Sequence, residues 1–169
     1  MEILIPGLIL VALMAWASTR IKKRAADAFE PEQIDTENYS LNKPGGFLHV
    51  LGDTDHDFIA YSREFGEEDN AAVRRATIEV DISRNRTLND VLVSIKKGAE
   101  RVEITSDADP VYQVIAEETA NQTPITAFYK IIGIAGAIIS LRFAVITGHK
   151  NEYKEKIDGT LRSFAVRSN

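Results

Sequence analysis

The hydrophobic positions of this chain concentrate in two stretches, Ile3–Ser18 near the start and Ile125–Thr147 in the second half. The second reads ITAFYKIIGIAGAIISLRFAVIT, two apolar runs broken near Gly136. Ile131–Leu141 carries no charge, but a bilayer span needs about 20 apolar residues. Extending it to Ile146 places Arg142 inside the span, at about 2.5–3.5 kcal/mol near a helix centre. Gly133 and Gly136 weaken a helix, whereas the Ile, Val, Phe and Tyr content favours strands. With period two, Ile125, Ala127, Tyr129 and Ile131 share a face, and so do Ala137, Ile139, Leu141, Phe143 and Val145. The opposite faces are also partly apolar, as in central strands covered from two sides. The stretch is therefore expected to be the central hairpin of a sheet.

Weaker signals place the other elements around it. Ile34–Leu41 reads as a first strand, Lys43-Pro44-Gly45-Gly46 as a turn, Phe47–Leu51 as a short extended piece and Asp57–Phe65 as an aromatic-rich strand. Gly66–Ala71 reads as an acidic loop. In Ala76–Ser83, Ile78, Val80 and Ile82 alternate with Thr77, Glu79 and Asp81, the mark of a half-buried strand. Thr87-Leu88-Asn89-Asp90 has the spacing of a capping box with Asp in the acidic position. It opens a helix with an apolar stripe of Leu88, Val91, Leu92 and Ile95, closed by Gly98. Val102–Thr105 and Val111–Glu118 are strands around a turn at Ser106–Pro110, and Asn121–Pro124 is a further turn. Tyr153, Ile157, Leu161 and Phe164 form the stripe of a last helix from about Asn151 to Ser163. The order βββ-α-ββββ-α, with short turns, predicts an α+β fold: a mostly antiparallel sheet of about six or seven strands flanked by two helices.

The stretch Ile3–Ser18 changes the picture. Eight of its residues are Ile, Leu or Val, each favouring insertion by roughly 0.3–0.6 kcal/mol near mid-bilayer. Sixteen residues span only ~24 Å of a ~30 Å hydrocarbon core. Thr19 and Ile21 lengthen the helix while Arg20, Lys22 and Lys23 snorkel. Trp16 falls at the interface, and Arg24 completes a basic flank. The expectation is a transmembrane anchor at residues 1–20, a basic stalk at 21–33 and the α+β domain at 34–169, on the cytoplasmic side by the positive-inside rule. A cleaved signal peptide is the alternative, because Ala15-Trp16-Ala17 matches the small-x-small pattern. That reading places the domain in the periplasm or a lumen, yet the positive n-region it needs is missing before the apolar run. A buried helix of the domain itself is a third reading.

Setting aside Glu2 and the four basic flank residues leaves 16 Lys and Arg against 24 Asp and Glu. That balance opposes nucleic-acid binding. It also sets an acidic domain off an anionic membrane surface while the basic stalk is drawn to it. The expected partners are the lipid bilayer, through the leader, and another protein, at the strand Phe58–Phe65 or the loop Gly66–Asn70. The chain has no cysteine, which excludes disulfides and thiolate metal sites.

Motifs for catalysis are missing: no G-x-S-x-G elbow, P-loop, dinucleotide fingerprint or HExxH occurs. His49, His56 and His149 read as solvated loop residues. Asp53, Asp55 and Asp57, with Glu64, match the ligand spacing of a calcium EF-hand loop. Phe58 stands where that loop needs Gly, so the three aspartates are weak metal candidates in an Asp-rich turn. Asp107 and Asp109 could be an acidic catalytic pair, but such residues usually just form turns. The expectation is a non-catalytic interaction or accessory domain without a cofactor.

Three places carry a family resemblance: Tyr39-Ser40-Leu41 with Pro44-Gly45-Gly46-Phe47, the unit Thr77–Ile82 into Leu88–Lys97, and the ending Glu152-Tyr153…Ile157…Leu161…Ser163-Phe164. In these the run from Tyr39 to Val166 resembles the PsbP-like α/β/α-sandwich superfamily. The resemblance implies a helix-flanked antiparallel sheet, and a protein-binding role more often than a catalytic one. No functional residue transfers with it.

Overall fold

The computed structural model describes Met14, Trp16 and residues 27–52, 54–67, 71–108 and 110–167. In chain order the elements are β1 (Glu32–Asp35), β2 (Tyr39–Lys43), β3 (Phe47–His49), β4 (Phe58–Ser62) and β5 (Ala76–Arg84). Helix α1 (Leu88–Gly98) follows, then β6 (Ala99–Ala108), β7 (Val111–Ala120), β8 (Thr123–Ile134), β9 (Ala137–Ile146), helix α2 (Lys154–Ser163) and β10 (Ala165–Val166).

The long apolar stretch is the hairpin β8–β9, in the register Phe128↔Phe143 and Ile132↔Ile139. Its turn has Gly136 at φ +81°, a conformation that Gly adopts without steric cost. The hairpin lies inside a seven-stranded antiparallel sheet of order β3-β4-β5-β9-β8-β7-β6. Period-two alternation then sends its side chains into two cores. Ile139, Leu141, Phe143 and Val145 join Phe47, Ile78, Val80, Tyr153, Ile157 and Phe164 on the α2 side. Ile131, Ile138, Ala144 and Ile146 join Val91, Ile95 and Val114 on the α1 side. Burying each Ile, Leu, Val or Phe side chain among these contributes on the order of 2 kcal/mol.

Four expectations are corrected. Ile34–Leu41 is two strands, because the Thr36 hydroxyl accepts the N–H groups of Asn38 (3.3 Å) and Tyr39 (3.0 Å) and turns the chain back. β1 and β2 then form a separate small sheet with β10, the two residues that follow Phe164 at the end of α2. Gly98 ends α1 without a connecting loop, since Ala99 already has extended backbone and opens β6. β6 also runs through the expected turn at Ser106 as far as Ala108. Last, α2 begins at Lys154, after a 3-10 turn at Thr147–His149.

Lys43, expected in a turn, is the last residue of β2 and is 1% exposed. Its ammonium donates to the carbonyls of Glu30 (2.6 Å) and Phe47 (2.7 Å), and burial lowers its pKa. Trp16 is helical and exposed. The basic flank Arg20, Lys22, Lys23 and Arg24 lies outside the described residues, and so does most of the expected anchor. Among the described residues no helix is long and apolar enough to cross a membrane.

Candidate functional site

Helix α1 packs over β6 and β7 and leaves the β5–β9 part of that sheet face without a helix. The capping box at its start is present: Asp90 N–H donates to Thr87 Oγ1 (3.2 Å) and Thr87 N–H to Asp90 Oδ2 (2.8 Å). On β5, Ile78 and Val80 face the α2 core, so Glu79 and Asp81 face the open part. Their partners across the strands are Arg142 and Ser140 of β9. The result is a cleft of about 600 Å³ between α1 and the loop that precedes β4.

Its floor is a network of charges. Arg142 donates from Nη1 to Glu79 (2.8 Å), from Nη2 to Glu118 (2.6 Å) and from Nε to the Tyr129 hydroxyl (3.1 Å). Tyr129 in turn donates to the other oxygen of Glu118 (2.6 Å). Burial alone would lower the Arg142 pKa, but Glu79, Tyr129 and Glu118 together hold it above its ordinary value. Burial raises the Tyr129 pKa, Arg142 opposes that, and the hydrogen bond to Glu118 adds to it. Two carboxylates thus surround one guanidinium, and the floor keeps a surplus negative charge. The same Arg142–Glu79 pair also lines a second cavity of about 360 Å³ toward Arg75 and Val73.

The wall opposite α1 holds the aspartates singled out from the sequence. Asp55 is exposed at the cleft, and Asp53 lies outside the described residues. Asp57 accepts the N–H of Ile82 at 2.7 Å, which ties the loop to the end of β5. Glu64 accepts the Tyr153 hydroxyl (3.1 Å) beyond the far end of β4. The intervening strand rises about 3.3 Å per residue, so Asp57 and Glu64 cannot share one ion. Among the described residues no group of three His, Asp or Glu side chains could hold a metal.

The histidines, expected as solvated, each stand beside a carboxylate: His56 at Asp81 (2.8 Å), His149 at Glu152 (3.0 Å) and His49 at Glu32 (3.8 Å). His49 also packs against Phe58 with the two rings tilted, and its pKa is lowered by burial against the pull of Glu32. The His56–Asp81 pair lies in the cleft with Ser83, Ser94 and Ser140, but no hydrogen bond joins any of these hydroxyls to His56. A nucleophile within hydrogen-bond reach of its base is therefore not assembled. Phe58, from the strand expected to meet a partner, is 3% exposed and belongs to the core. Phe65 is exposed and carries the Arg74 guanidinium 3.8 Å from its ring centre. In the acidic loop Glu67 pairs with Arg75 (2.5 Å), and residues 68–70 lie outside the described residues. So does Asp109.

No family model and no curated protein matches the sequence. Solved structures do match. Cyanobacterial PsbP (CyanoP) from Synechocystis superposes with a TM-score of 0.51 at 14% identity, covering 82% of this chain and 94% of that one. The Ran-binding protein Mog1p of Saccharomyces cerevisiae gives 0.52 at 13% identity, over 82% and 96%. LpqN of Mycobacterium tuberculosis, involved in cell envelope biogenesis, gives 0.52 at 10% identity, over 82% and 91%. The fold is PsbP-like. At these identities the likeness concerns the arrangement of elements and not the side chains of any site.

Within the PsbP-like frame, the residues that build the cleft floor were not singled out from the sequence. Arg142 was the available signal. A charge at the centre of a strand apolar on both faces needs partners on the neighbouring strands, and the outward positions of β5 and β8 supply Glu79 and Tyr129.

Proposed function

We propose that this chain is a non-catalytic binding module, held at the cytoplasmic face of a membrane by its apolar leader, that engages another protein through the cleft beside α1. The saturation of Arg142 carries this reading. Its three bonds to Glu79, Glu118 and Tyr129 leave the cation that could stabilise a developing anion already committed, and no activated nucleophile is assembled beside it. A cleft of about 600 Å³ with fixed polar groups and an apolar wall at Val91 and Ile95 suits recognition. The Ran-binding neighbour Mog1p supports a binding role for this fold.

A photo-crosslinking residue at Ser94, on the α1 wall, tests the cleft in native membranes. A discrete protein adduct that is lost when the probe is moved to Lys154 is the expected result. A probe at Ser94 that yields no adduct counts against the cleft. The leader is tested separately by intact mass and by protease protection of sealed membranes. A full-length mass with the domain protected fits the cytoplasmic arrangement. A mature N-terminus at Ser18, or digestion from outside, favours the periplasmic or lumenal alternative.

A further inference from the structure

We propose that β6 is a self-pairing edge through which two copies of this chain join into one continuous sheet. The seven-stranded sheet ends on one side in β3, of three residues, and on the other in β6, of ten. A long edge strand presents a row of backbone donors and acceptors to any second strand. Register shifts interrupt β6 at its start, between Ala99 and Arg101, and past its middle, between Ile104 and Ser106. Between them Arg101, Val102, Glu103 and Ile104 keep regular pairing with Glu117, Ala116, Ile115 and Val114. The two irregularities bound this window of regular strand.

The window is self-complementary. Arg101 and Glu103 are exposed, share a face of the strand, and make no ion pair or side-chain hydrogen bond among the described residues. In a two-fold antiparallel pair centred on Val102, Arg101 of each copy stands opposite Glu103 of the other. A slip of two residues sets Glu103 against Glu103 or Arg101 against Arg101. A slip of one turns the side chains to the wrong face. Charge thus selects one register, and like-charge opposition penalises its neighbours. Ile104 on β6 is 44% exposed, apolar surface beside the window that a second copy can cover. Such a contact is isologous and closes at two copies, because the three-residue edge at β3 offers no equivalent.

Sedimentation of the full-length chain in detergent tests the idea. The wild type is expected to be a dimer. E103R places Arg opposite Arg101 of the other copy while facing only Ile115 in its own chain, and weakens the dimer by about tenfold or more. In an E117Q background, which removes the carboxylate that Arg101 faces in its own chain, the double variant R101E/E103R reverses both charges, restores the complement and returns the affinity to that of the wild type. Because the chain has no cysteine, V102C gives a second readout. Mild oxidation should link two copies through this position, whereas L48C on β3 should stay unlinked. A monomeric wild type, a dimer indifferent to E103R, a double variant that stays monomeric, or equal cross-linking at both cysteines would each overturn the proposal.

Discussion

Arg142 Nη2 and Glu118 Oε2 lie 2.6 Å apart although β8 runs between their strands. The bridge forms because both side chains are long and rise on the α1 side of the sheet, and Tyr129 of β8 ties them together from below. Glu79 closes the other flank at 2.8 Å. The network therefore spans β5, β9, β8 and β7, the strands that carry the cleft.

Replacing the cation in this network should leave two carboxylates facing each other in a half-buried site. Arg142→Leu is expected to cost about 3–5 kcal/mol in urea unfolding, the cost of stranding a buried charge. Glu79→Gln, which keeps the shape and one acceptor, should cost less. An Arg142→Leu protein as stable as the wild type would mean that the network adds no stability.

Alkaline pH should destabilise the domain. Burial, helped by Asp57, pushes the Tyr39 pKa up to about 12. Burial also pushes Tyr153 up to about 12, against the Ser62 hydrogen bond and with the help of Glu64. Each folded value lies above the unfolded one of about 10. The folded state then holds its phenolic protons longer, and stability present below pH 10 falls as pH rises toward 12, on the order of 2 kcal/mol per tyrosine. Lys43 and Lys130, lowered by burial, act in the opposite sense, gaining stability as pH climbs through their lowered values to the ordinary one. Unfolding free energies measured across this range, with Tyr39→Phe and Tyr153→Phe, should show the alkaline loss shrink in each variant.

Thr160 in α2 is 1% exposed, and its hydroxyl has no hydrogen-bond partner among the described residues. Valine has nearly the same shape and no polar atom to desolvate. Thr160→Val should stabilise the fold by about 1 kcal/mol, read as a higher urea midpoint at unchanged slope.

The capping box at the start of α1 was readable in the sequence, and its energetic role can be checked directly. Thr87→Ala removes the acceptor for Asp90 N–H and should cost about 1 kcal/mol. Amide exchange should rise in the first turn of α1, the part of the cleft wall next to Arg86, and stay unchanged in β8.

What the sequence revealed follows from the range of the interactions involved. The β8–β9 hairpin, the alternation in β5 and the stripe of α2 are written in nearest-neighbour periodicity, so pattern alone places them. The split of Ile34–Leu41 depends on one hydroxyl, Thr36 Oγ1, which no periodicity shows. β10 has two residues and exists because α2 delivers them beside β2. The site was least legible, because Glu79, Glu118, Tyr129 and Arg142 come from four strands and only the strand order brings them together. Lys43 illustrates the same limit: a residue in a turn signal is buried because two carbonyls from Glu30 and Phe47 converge on its ammonium.

The end of the chain offers the sharpest stability test, because Phe164 joins three layers. Its ring lies 6.0 Å from that of Tyr39, and the side chain is 1% exposed. Its N–H closes α2 on the Thr160 carbonyl (3.1 Å), and its own carbonyl accepts from Lys130 of β8 (2.7 Å). The next two residues form β10 and pair with β2. Truncation to alanine leaves a cavity between the small sheet, α2 and the central hairpin while keeping every backbone bond, so Phe164→Ala should cost about 3–5 kcal/mol. Phe164→Leu refills most of that volume and should cost under about 1.5 kcal/mol. If the aromatic ring instead mattered through Tyr39, both variants would lose stability equally and Tyr39→Phe would leave the difference unchanged. Urea unfolding of the three variants distinguishes cavity formation from ring contact, and the cavity account requires leucine to recover most of the loss.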